Sequence, residues 1–265
     1  MNSQVAGTVL QVVLLTTLTG SAMASRSPRA ATVGENVVDP APSLEPLVIV
    51  ETDEDSWKLR IAPYLWTAGI DGALTADNIE VDFDVDFDDI WDNLESAGLV
   101  FIEARRGRFS VLGDVVYLGL DLDGETPGGA DADADVTTTI LELAGLYRVT
   151  PTSPYEVGLG MRYCSVDTEL DVGPISADGD PSAFDGVAVG RAKWPFAQRW
   201  NLSLYADVGG GESDLTWQAA AMLGLEFTNW GLGVGYRMLD YDFEEGSDEL
   251  DLTFEGLMFG AEFRF

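Results

Sequence analysis

The chain contains no histidine and a single cysteine, Cys164. Without histidine it lacks the usual general base of Ser–His and Cys–His hydrolases and the commonest zinc ligand. One cysteine cannot form an intrachain disulfide, whatever the redox compartment. Basic residues are also scarce: 14 Lys and Arg stand against 46 Asp and Glu, a net charge of −32, and the lysines are Lys58 and Lys193 alone. A nucleic-acid partner needs a basic surface and is excluded. Beyond the N-terminus no apolar run is long enough for a membrane-spanning helix, although 46% of the residues are hydrophobic. They are spread along the chain and punctuated by 29 glycines, as in a β-rich protein.

Residues 5–20 are apolar and lead into Ala22-Met23-Ala24. Small residues at the first and third of these positions suit signal peptidase, so residues 1–24 read as a signal peptide cleaved after Ala24. No Lys or Arg precedes the run, which leaves a short uncleaved anchor as the alternative. No cysteine follows the site, which argues against a lipoprotein. Residues 25–56 form an acidic periplasmic linker with Pro28, Pro40, Pro42 and Pro46 and with Glu51, Asp53, Glu54 and Asp55 near its end. Its one apolar patch, Leu47-Val48-Ile49-Val50, is expected to be loosely ordered or to form a short strand that plugs or pairs.

From Trp57 to Phe265 the period is two. Tyr155, Val157, Leu159, Met161 and Tyr163 alternate with Glu156, Gly158, Gly160 and Arg162, and Leu202, Leu204, Ala206 and Val208 alternate with Ser203, Tyr205 and Asp207. A soluble sandwich would alternate in the same way. Three further features favour a membrane barrel: segments of about ten residues, aromatics at the ends of the apolar faces, and connections alternating between tight turns and long acidic loops. The expected fold is all-β, an antiparallel transmembrane β-barrel of ten strands with eight or twelve as alternatives, both termini periplasmic. The strands fall near 57–72, 97–106, 108–120, 136–149, 155–166, 186–196, 201–211, 215–228, 231–239 and 252–265. Ile79–Phe87 is expected as a strand above the membrane inside the first outer loop, and Asp89–Glu95 as a short helical turn.

Pro63-Tyr64-Leu65-Trp66, the acidic alternation Val81–Phe87 with Asp89-Ile90 after it, and the terminal Phe259-Gly260-Ala261-Glu262-Phe263-Arg264-Phe265 resemble a largely uncharacterised group of Gram-negative outer-membrane β-barrel proteins. The last segment resembles the signal read by the barrel-assembly machinery, carried by Phe259, Phe263 and Phe265. The resemblance implies a bacterial outer-membrane location, with lipid, lipopolysaccharide and the assembly machinery as partners, and says little about activity.

The inward polar set is expected to be Arg60, Glu103, Arg105, Asp114, Glu142, Glu156, Arg162, Arg191, Asp207, Glu226, Arg237, Glu262 and Arg264. In a barrel this narrow, arginine pairs bidentately with carboxylates. The set reads either as a salt-bridged, occluded interior or as a narrow polar pore. Cys164 is expected inside as a buried small residue.

Thirty of the 46 acids fall in the five outer loops, which carry no Lys or Arg. Asp82, Asp84, Asp86 and Asp88 would line one face of a strand, about 6–7 Å apart, and are the candidate metal ligands. A hard cation, Ca²⁺ or Mg²⁺, is the one cofactor this composition suggests, and it would need oxygens from neighbouring loops. The other reading of the charge is a solvated acidic surface suited to saline surroundings. Three functions follow: a structural or narrow ion-conducting barrel, a surface cation-binding or adhesive protein, and, less favoured because no catalytic set is visible, a membrane-embedded hydrolase.

Overall fold

A computed structural model describes residues 56–76, 79–125, 131–172, 175–245 and 248–265. The expected signal peptide and all of the linker except Ser56 lie outside them. Ten strands close into one antiparallel ring: β1 (Lys58–Ala76), β3 (Leu94–Arg106), β4 (Phe109–Glu125), β5 (Asp131–Arg148), β6 (Tyr155–Val172), β8 (Ser182–Pro195), β9 (Trp200–Gly211), β10 (Leu215–Glu226), β11 (Trp230–Glu245) and β12 (Asp248–Arg264). Two short strands stand outside the ring, β2 (Ile79–Val85) on β1 and β7 (Ile175–Gly179) on β6. A helical turn, α1 (Phe87–Asp92), follows β2. It begins two residues earlier than the sequence suggests, and β7 has no counterpart in the sequence reading.

The ring is sealed by β1 against β12, from Arg60 opposite Arg264 to Thr75 opposite Glu249. Phe265 exchanges backbone hydrogen bonds with Leu59 at 2.9 and 3.2 Å. Both ends of the ring therefore lie at the rim that carries the tight turns. One of these turns is Gly107-Arg108, where Gly107 takes φ 57°, a left-handed conformation that glycine adopts at little cost.

The strands run well beyond the expected boundaries on the other rim. β5 begins at Asp131 rather than near 136, and β11 continues to Glu245 rather than ending near 239. The reason lies in side-chain direction. Below, the outward positions are apolar and exposed: Leu143, Val157, Leu159, Val234, Leu257 and Phe259. Above, the same outward parity carries Asp121, Asp135, Asp167, Glu169, Asp171 and Asp251, while the inward parity carries buried Leu120, Ala134, Leu170, Leu239, Tyr241 and Phe254. The period of two continues, but its sign inverts. The lower half is apolar outside and polar inside; the upper half is acidic outside and apolar inside.

On β6 the lower belt spans Tyr155 to Tyr163, and on β12 Leu257 to Phe265, each the length of a tilted strand across a bilayer. An exposed apolar belt of this extent on a ring whose first and last strands are joined is the wall of an outer-membrane barrel. The plane of inversion marks where lipid gives way to water. Phe259, Phe263 and Phe265 all face the lipid side, in the register the sequence implies.

Candidate functional site

All the expected inward polar residues face the lumen, and they assemble into layers. Nearest the turn rim, Arg60, Arg105 and Arg191 interlock with Glu103, Glu156 and Glu262. Arg60 binds Glu103 closely and Glu262 at 2.9 Å. Arg105 reaches Glu103 at 2.8 Å and Glu156 at 2.6 Å. Arg191 donates to Glu103 at 2.8 Å and to Glu156 through Nε at 3.0 Å. Arg148 adds a contact to Glu156 at 3.3 Å.

One layer deeper, Arg162 contacts Glu142 at 3.0 Å, Asp207 at 2.5 Å and Thr216 at 3.1 Å. Its side chain is 0% exposed. Gln218 donates to Asp207 at 3.2 Å and accepts from Arg237 at 2.7 Å. Arg237 pairs with Asp114 at 2.8 Å and lies over the Trp66 ring, 4.6 Å from its centroid. Tyr64 donates to Asp114 at 2.9 Å, and Tyr205 donates to Glu142. The layer ties together β1, β4, β5, β6, β9, β10 and β11, and so spans the lumen from wall to wall.

Glu226 and Arg264 extend the first layer to the rim. Glu226 takes Lys193 at 2.6 Å and Asn201 at 2.9 Å, and Arg264 turns to Glu262 at 2.5 Å. Tyr64, Tyr205, Thr216 and Gln218 belong to the network although the expected inward set does not include them. Each shares inward parity with a charged residue on its own strand, and that parity was the available signal.

Above the charged layers the lumen fills with Trp66, Val116, Ile140, Leu239, Tyr241, Phe254 and Met258, and Cys164 is buried among them as a small packing group. Below the Arg162 layer and beside the first, a cavity of about 980 Å³ opens toward the turn rim. It exists because inward positions on β10, β11 and β12 are small: Ala220, Gly224, Gly231, Gly233 and Gly260 line it. Nine of the twelve Lys and Arg among the described residues also line it, against six carboxylates. The chain's scarce positive charge is concentrated in one compartment.

The four aspartates expected to share a strand face do not. Asp82 and Asp84 lie exposed on β2, Asp86 precedes α1, and Asp88 is in its first turn, because the strand ends at Val85. Packing, and then the carboxylates of Asp71 and Asp86, hold the Asp84 carboxyl above the ordinary aspartate range. Among the described residues, a group of three converging carboxylates belongs to a different set. Asp242 on β11 faces Asp251 on β12, and with Glu249 their ligand atoms lie within 4.8 Å of one another.

No protein-family profile and no curated protein matches the chain. Among solved structures it is similar to the translocator domain of the autotransporter NalP from Neisseria meningitidis, at 14% identity and TM-score 0.40, over 80% of this chain and 90% of that one. It is also similar to Ail, the attachment invasion locus protein of Yersinia pestis, at 9% identity and TM-score 0.36, over 80% and 99%. A third is the outer membrane protease OmpT from Escherichia coli, at 9% identity and TM-score 0.45, over 81% and 99%.

Proposed function

We propose that this chain is a non-conducting outer-membrane barrel whose turn rim faces the periplasm and whose acidic collar faces the cell surface. The observation that carries the reading is the double closure of the lumen. The Arg162 layer spans it, and the apolar cluster of Trp66, Leu239, Tyr241 and Phe254 fills the space above. An ion would have to break the Arg162–Glu142–Asp207 charge network and then cross a packed apolar layer, neither of which leaves a hydrated path. The work of such a barrel is done by its two ends, and among the described residues no nucleophile–base pair supports a hydrolase. Purified protein inserted into planar bilayers should stay silent at all voltages; reproducible unitary currents from the wild-type protein would sink this reading.

The collar supports a second role, divalent-cation binding. Like charges directly opposite on adjacent strands repel, as Asp242 does Asp251 and Asp121 does Asp135. A hard cation taking several oxygens at about 2.3–2.6 Å would relieve that repulsion in the group of Asp242, Glu249 and Asp251. Because the collar points outward just above the lipid belt, a bound ion would bridge it to the anionic head groups of lipopolysaccharide. Titration calorimetry should show Ca²⁺ uptake that weakens when Asp242→Asn and Asp251→Asn are combined. Uptake unchanged in the double variant would remove this group from consideration.

A further inference from the structure

One seam of the ring is open within the membrane belt. β1 and β3 share six registered pairs, from Lys58–Arg105 to Pro63–Val100. Pairing on that side of β1 resumes only at Ile70, and there the partner is Val85 of β2. Between these points Tyr64–Gly69 has no ladder partner on that side among the described residues, nor does the facing stretch Leu94–Leu99 of β3.

The sequence supplies local causes. β3 carries a bulge between Leu94 and Ser96. A Cβ at Gly256 would lie 2.0 Å from the Thr67 carbonyl oxygen, so β1 is drawn tightly onto β12 at this height. Thr67 pairs with Leu257 and Leu65 with Phe259, both lipid-facing. The unpaired stretch therefore lies at bilayer depth. About half of its backbone N–H and C=O groups point into the seam, where no water is at hand to satisfy them.

The seam leads somewhere. Tyr64, its first residue, is also a wall of the 980 Å³ cavity, and Phe101, just below Leu99, is another. Behind it the buried Trp66 has an indole N–H with no acceptor among the described residues. At its loop end stands α1, whose Phe87 and Trp91 rings lie 5.8 Å apart. Trp91 is 52% exposed, as an aromatic at a membrane interface is.

We propose that the β1–β3 seam is a lateral portal from the loop-side leaflet to the lumen cavity, and that it admits a single-chain amphiphile with an anionic head, such as a free fatty acid. The cavity then offers Tyr64, Phe101, Met222 and Met258 to the chain and a surplus of cations to the head. A molecule entering from the side needs no water-filled path along the barrel axis, so the portal stands or falls independently of conductance.

The test uses folded protein in lipid nanodiscs with radiolabelled oleate as the probe. A photoreactive benzoylphenylalanine replaces either Leu99, at the seam, or Leu112, which is also inward-facing but lies where the β3–β4 and β4–β5 ladders are continuous. Gel migration with and without heating shows that each variant has folded. Labelling should be at least about tenfold stronger at Leu99, because a closed ladder admits no acyl chain. Equal labelling at both positions, or none at Leu99 in folded protein, overturns the portal. Oleate should also displace a bound fluorescent fatty acid better than oleyl alcohol does; equal displacement would overturn the anionic-head assignment.

Discussion

Replacing Arg162 with alanine should destabilise the folded barrel by about 3–5 kcal/mol, the usual cost of leaving buried charges without their partner. Arg162 is 0% exposed and is held by Glu142 and Asp207. With the guanidinium gone, two nearly buried carboxylates face each other without the cation that paired them. Neither can gain another arginine without breaking an existing pairing, since Arg237 in the same layer is committed to Asp114 and Gln218. Denaturant unfolding in detergent or bilayer, read by tryptophan fluorescence, measures the loss. The triple variant Arg162→Met, Glu142→Gln and Asp207→Asn removes the charges together and should recover most of it, because a buried ion pair contributes little over a packed neutral replacement. A single variant as stable as the wild type would mean that this layer does not hold the wall together.

The second large effect concerns a residue that touches almost nothing. Leu159 is 74% exposed. In a water-soluble barrel, Leu159→Arg would change stability by no more than about 0.5 kcal/mol, as surface substitutions generally do. Leu159 lies midway along the outward belt of β6, between Tyr155 and Tyr163, and an arginine at bilayer mid-depth costs about 2–4 kcal/mol. Asp167→Arg, four outward positions further along β6 and beyond the plane of inversion, should cost far less by the same measurement. Equal and negligible effects at both positions would show that the belt does not face lipid.

Much of this protein was legible before its structure. The strand count, the tight turns and the inward charged set follow from a period of two, because successive side chains on a strand must point to opposite faces. Arg60, Glu142 and Arg237 could be placed inside by parity alone. The collar was harder to read. Asp121, Asp135 and Asp167 look like loop residues in sequence, and their charge hides the fact that the alternation runs on through them. What changes there is the medium outside the wall, from lipid to water, and a sequence does not state where that boundary falls.

Two further features depended on contacts between distant parts of the chain. The four alternating aspartates suggested one ligand face, but β2 ends at Val85, and a converging group of three carboxylates comes instead from β11 and β12 across a ladder. Nothing local in Tyr64–Gly69 or Leu94–Leu99 announces an open seam. It exists because β2 takes the upper part of β1 while β3 keeps only the lower part, a division settled by competition between two strands for one edge. The sequence by itself determined a barrel with a polar interior, since periodicity is a property of each strand alone. Tertiary structure decided where that interior is closed and where its wall is open, since both depend on which strand lies beside which and at what height.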